Sequence, residues 1–159
     1  MNFLRILGAV LVACSGLLLA RSLNVSERRA LAEIEGFIAF LRFVRSNIDA
    51  YSMPLSEILL RCPRKIYASC GYTKDEPPRS IGELFSGCCV SDGFAAERLR
   101  EFSAEVGRGY REEQLALLSR TIGALEERHR ELSGALPSRQ RVRATLCLGV
   151  SLSVVILLF

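Results

Sequence analysis

Hydrophobic positions in this chain are distributed in two distinct ways. At the ends they form continuous runs, from Ile6 to Ala20 and from Ala144 to Phe159, with no charged residue in either. Between the runs they recur every three or four residues. Leu31, Ile34, Ile38, Leu41, Val44 and Ile48 line one face of a helix. With no proline before Pro54, and only Gly36 to weaken it, this helix is expected to continue from the first run without a break. Phe37, Phe40 and Phe43 widen its apolar surface, and core filling is the expected role, ahead of a partner-facing one.

Further along, the pattern is cut by turn chemistry. Met53-Pro54-Leu55-Ser56-Glu57 reads as a helix start, with Pro54 in the first turn, and Cys62-Pro63 interrupts that helix. Cys70 to Ser80, containing Gly71, Pro77 and Pro78, reads as a loop. Ser80 followed by Glu83 fits a capping box opening a short helix that Gly87 and Gly93 bracket. From Phe94, the spacing of Leu99, Phe102 and Val106 predicts another helix, closed by Gly107-Arg108-Gly109. Leu115, Leu118, Ile122, Leu125, His129, Leu132 and Leu136 then form a heptad-like seam, expected to end at Leu136 before Pro137. No strand-length stretch alternates with a period of two, so the expected fold is all-α, a compact cytosolic bundle of about six helices.

The end runs define the rest of the architecture. All 17 acidic residues of the 159-residue chain lie between them, so the ends are neutral apart from a few arginines. Each run is shorter than the roughly 20 residues of an upright span, but Phe3 and Leu4 extend the first, and Arg5, Arg21 and Arg143 can snorkel to headgroups. The expected organisation is a transmembrane segment over 1–22, a cytosolic helical domain over 23–140 and a second transmembrane segment over 141–159. Leu11-Val12-Ala13-Cys14 resembles a lipoprotein cleavage box, yet the run stays apolar through Leu17, Leu18 and Leu19, which favours a retained anchor. Arg21, Arg28 and Arg29 follow the first run, and Arg139, Arg141 and Arg143 precede the second. Only Arg5 lies beyond them, so the centre is expected in the cytosol.

Candidate chemistry is sparse. The net charge of +4 comes from arginines interleaved with acids, which gives nucleic-acid binding no specific support. Of the 6 cysteines, Cys14 and Cys147 fall inside the end runs. Cys62, Cys70, Cys88 and Cys89 are irregularly spaced without a CxxC, and the adjacent Cys88 and Cys89 read as small buried residues. A single His, His129, sits on the seam and reads as a packed core residue, so neither a zinc site nor a triad is expected. Gly107-Arg108-Gly109 lacks the Lys and remaining Gly of a phosphate loop and reads as a turn. Glu112-Glu113 and Glu126-Glu127 read as surface acids, with Glu126 paired to Arg130 and Glu113 favoured by the helix dipole. No catalytic residue, cofactor or metal is expected.

One group of features carries a resemblance. A short apolar N-terminus with an arginine-rich exit leads to a leucine-patterned helix ending at Tyr51, with Pro54-Leu55 just after. A glycine turn then precedes a Gln-bearing helix, and arginines precede the C-terminal run. This layout resembles the stage III sporulation protein AB family over essentially the whole chain, most specifically at Phe102, Gly107 and Gln114. The chain departs from the family in having Val106 before the glycine and Tyr110 where the family has an Asp helix cap.

The resemblance implies a non-enzymatic component of the secretion-like channel between mother cell and forespore. Such proteins look like the cytoplasmic domain of the type II secretion inner-membrane platform protein. They would couple a cytosolic secretion-type ATPase to other stage III sporulation membrane proteins from the mother-cell side of the outer forespore membrane. On this reading the partners are the lipid bilayer and those proteins, with self-association left open. Gly107, Gly109 and Gln114 would be turn and helix-start positions, an interface role for Gln114 and Arg111 being the alternative. The rival class is a small two-span transport or sensor protein using Cys14, Ser15, Ser151 and Ser153, disfavoured because neither run holds an Asp, Glu, Lys, Arg or His, the ionisable residues that usually mark ion routes. A small membrane-bound enzyme is disfavoured by the missing constellation.

Overall fold

A computed structural model describes the backbone of residues 2–158, and side chains over 25–138 with Ser15, Ser22, Val142, Thr145, Leu146, Gly149, Val150 and Ser153. The described chain is all-α, with six helices and no strand. They are α1 (Asn2–Tyr51), α2 (Leu55–Arg61), α3 (Arg64–Ser69), α4 (Ile81–Gly87), α5 (Gly93–Glu105) and α6 (Arg111–Leu158). The structure divides into two compact units, one of residues 29–132 and one of residues 1–28 with 133–159.

In the 29–132 unit the periodic residues of α1 form the centre of the core. Ile34, Phe37, Phe40, Leu41 and Val44 are fully buried, and Phe43 is packed at the edge. Leu118, Ile122 and Leu125 of the α6 seam join them, with Leu115 and Leu132 partly covered at its ends. His129 is half-buried rather than a core residue. Arg42 pairs with Glu126 (2.6 Å) and Arg111 with Asp49 (2.7 Å), so later positions of α1 meet earlier positions of α6 and the two run antiparallel. Glu126 therefore gives its carboxylate to α1, not to Arg130 as its spacing suggests; Arg130 Nε donates to the Glu126 backbone oxygen at 3.4 Å. A contact across the bundle, invisible to local spacing, determines this.

The short helices fill in around that pair. Phe85 stands edge-on to Phe37 (5.7 Å, 80°) and also meets Phe102 of α5, while Tyr67 of α3 lies between Phe40 and Tyr72. The Tyr67 hydroxyl donates to the Leu59 carbonyl, which satisfies a phenol in apolar surroundings. Gly36 is where α3 approaches α1: a Cβ there would lie 2.2 Å from the Ser69 carbonyl oxygen. Ser80 caps α4 by accepting from Glu83 N–H, while Glu83 accepts in return from Arg79 N–H, a capping box displaced by one residue. The Cys88–Asp92 connection is fixed twice. The buried carboxylate of Glu33 accepts from Arg29 and from Ser91 N–H, and Asp92 caps α5 at Ala95 N–H while accepting from Arg128 of α6.

In the other unit, α6 does not end at Leu136. It continues through Pro137 to Leu158. A proline forfeits one helical hydrogen bond, at about 3 kcal/mol, and good helix formers on both sides (Ala135, Leu136, Arg139, Gln140) keep the helix intact across that gap. Among the described residues no helix is long and apolar enough to cross a membrane, so the two spans expected over 1–22 and 141–159 are not found among them. Each uncharged run falls short of roughly 20 residues, and most side chains of both runs lie outside the described residues. Val142, Leu146 and Val150, at four-residue spacing on α6, are exposed apolar residues.

Candidate interaction site

The four residues singled out in the sequence come together at one end of the 29–132 unit, where α5 turns into α6. Val106 ends α5 in extended backbone, and Gly107 follows at φ +83°, a left-handed conformation that side chains resist. At Gly109 the chain passes against Glu113, whose Oε2 a Cβ would meet at 2.3 Å. Glu113 is in that position because it caps α6, accepting from Tyr110 N–H at 3.0 Å. The phenol oxygen of Tyr110 sits at the far end of a rigid ring, unlike the short capping side chains of Ser, Thr, Asp and Asn, and the capping interaction comes from inside the helix instead. Gln114 closes the turn, its Nε2 donating to the Gly109 carbonyl at 2.9 Å.

Arg111 acts across the bundle. Its Nε donates to the Ile48 carbonyl (3.3 Å), and its Nη2 to both the Asp49 carbonyl (2.6 Å) and Asp49 Oδ1 (2.7 Å). These are among the last carbonyls of α1: Ile48 also accepts from Ser52 N–H at 3.1 Å, while Asp49 lies past the last such bond, and a guanidinium there is favoured by the helix dipole as well. Arg111 is thus the cap of α1 supplied by α6.

Beyond that cap α1 turns sharply. Ser52 has φ +49°, the one non-glycine residue with positive φ among the described residues, and Pro54 (φ −65°, ψ 145°) stands at the N-cap of α2, one position before the first turn. The fold-back leaves a cleft of about 430 Å³, with Ile48 and Ser52 to Ser56 on one side and Gly107, Arg111 and Gln114 on the other. A second cleft, of about 270 Å³, lies on the other side of Gln114, between Glu105, Arg108, Gly109 and Glu113. Tyr51 and Tyr110, each next in sequence to a residue of the larger cleft, are 73% and 85% exposed. Nothing in the sequence marks Ser52, Asp49 or the Met53–Ser56 stretch as site residues. The helix-start signal at Pro54 marks the loop, but not what it folds against.

The four described thiols differ in burial. Cys62 is raised to about 11 by burial, against a lowering hydrogen bond with Tyr67, and Cys70 is pushed further up by burial beside Cys88 and Cys62. Burial and then the Glu33 charge raise Cys88 to about 11. Cys88 is half-buried and Cys89 exposed, which corrects the reading of both as buried, because the Cys88–Asp92 connection runs along the surface. Among the described residues no group of His, Cys, Asp and Glu is placed to hold a metal ion. Compared with family models, with curated proteins and with solved structures, the chain matches none.

Proposed function

We propose that this chain is a non-enzymatic membrane adaptor, a platform component of the stage III sporulation channel that couples a cytosolic secretion-type ATPase to membrane proteins. The observation that carries the reading is the separation of chemistry along the chain. Every acid lies between Glu27 and Glu131, and uncharged apolar runs bordered by arginines close both ends. Exposed Val142, Leu146 and Val150 on α6 fit lipid contact better than water contact. The helical body fits a transmitting role, being closed by buried apolar contacts and cross-bundle ion pairs. The family named in the sequence analysis supplies the sporulation context, on the layout around Tyr51, Gly107 and Gln114.

Affinity purification of the tagged full chain from sporulating cells of its host tests the reading. A secretion-type ATPase and membrane proteins of the same apparatus should co-purify. Recovery of transport subunits with no such ATPase would overturn it in favour of the transport reading.

A further inference from the structure

We infer that the cleft between the Ser52–Ser56 stretch and the Gly107–Gln114 turn is the partner-facing site of this chain, and that its occupant is an acidic peptide segment of the partner. The inference rests on the adaptor reading and names the surface through which such an adaptor makes contact.

Charge selects the sign of the occupant. Among the described residues, Arg111 is the one charged residue that lines the cleft, and no carboxylate lines it. The guanidinium uses Nε and Nη2 on the end of α1, while Nη1 takes part in none of those three bonds. Asp49 already shares Nη2, so an incoming carboxylate on Nη1 would make Arg111 a bridge between two acids, which its five donors allow. A basic segment would instead meet the cation directly.

The rest of the lining is mixed. Ser52, Ser56 and Gln114 offer neutral hydrogen-bonding groups, and Met53, Pro54 and Leu55 offer an apolar strip beside them. A segment carrying acids around one apolar side chain would use both kinds of surface, and the volume is that of a typical ligand cleft. Tyr51 and Tyr110, each next in sequence to a lining residue, are large, amphipathic and mostly uncovered, and Tyr with Arg is the composition that dominates binding energy at protein interfaces. The left-handed Ser52 is a conformation that costs energy outside glycine, held where it folds α2 back to form one wall.

The test is fluorescence anisotropy on the full chain in detergent micelles, with a fluorescein-labelled Asp-Glu-Leu-Glu-Asp peptide. Amide (Asn-Gln-Leu-Gln-Asn) and basic (Lys-Arg-Leu-Arg-Lys) peptides serve as controls. Saturable binding is expected for the acidic peptide, weaker by roughly tenfold or more for the amide peptide, as loss of a charge-assisted contact to Nη1 implies. Arg111→Gln should weaken it as well, but that change also uncaps α1. Ser56→Asp is the deciding variant. It places a like charge in the cleft at an exposed position in the first turn of α2, where an acid suits the helix dipole. It should leave the melting midpoint unchanged and cut acidic-peptide binding by roughly tenfold. Equal binding of acidic and amide peptides, or acidic binding untouched by Ser56→Asp, would overturn the inference. Acidic binding by a chain that recovers no ATPase from its host would keep the cleft and sink the adaptor reading; the reverse pair of results would sink the cleft alone.

Discussion

Asp92 shows how much one side chain can hold in a domain of this size. Burial alone would raise its carboxyl, but hydrogen bonds from Arg128, the Ala95 amide and the guanidinium charge more than offset this, and the group ends below the ordinary carboxylate value. A lowered folded value means that its stabilisation is present above the unfolded pKa of about 4 and is lost as pH falls through the folded one. Asp92→Asn keeps a good capping side chain and removes only the charge. Urea unfolding at pH 7 should show a loss of about 1–3 kcal/mol, with Arg128 partly exposed, and the gap to wild type should close below about pH 4. A gap that stays constant down to pH 3 would mean that the pair contributes nothing. The cysteines give a second expectation at this scale. In the folded chain at pH 8, iodoacetamide should modify exposed Cys89 well before Cys62 or Cys70, which burial and raised pKa values keep as thiols until the domain unfolds. Peptide mass mapping over time reads the order, and early labelling of Cys70 would contradict the packing of α3.

At the scale of the element, Gly36 sets opposing terms against each other. Alanine there would gain about 1 kcal/mol of helix propensity in α1. It would also drive a methyl into the Ser69 carbonyl, a backbone atom that cannot rotate away, and overpacking of this kind costs about 1–3 kcal/mol or more. Net destabilisation by about 1–2 kcal/mol is expected, read as a lower melting midpoint; a more stable variant would show that α3 does not sit on α1 at this point. In the sequence Gly36 is only a weak spot in a helix, because what it accommodates lies 33 residues away. The same limit explains the other misses. The Ser80–Glu83 cap is legible since both partners are local, whereas Gly93 reads as a break in the sequence and hides Asp92 as the cap of a helix that the spacing starts at Phe94. Spacing pairs Glu126 with its neighbour Arg130, and tertiary contact pairs it with Arg42. Pro137 looks like a stop but is carried by the helix on both sides of it. Half of the candidate site was legible for the same reason: Gly107 to Gln114 is one local turn, and its opposite wall at Ser52–Ser56 arrives only through the fold.

At the scale of the whole molecule, an all-α body and the buried faces of α1 and α6 follow directly from three-and-four periodicity, since burying those faces is what forms the helices in water. The end runs are a different case. Their composition reports a preference for apolar surroundings, and composition does not separate lipid from protein as the thing that covers them. The adaptor reading places lipid there, held by arginines at each border, and alkaline carbonate extraction of membranes from cells expressing the full chain tests this most directly. The account predicts that the chain stays with the membrane pellet at high pH and high salt, leaves it in detergent, and is released by alkali once Val12→Arg and Val154→Arg charge both runs. Release of the unaltered chain by salt or alkali alone would contradict it.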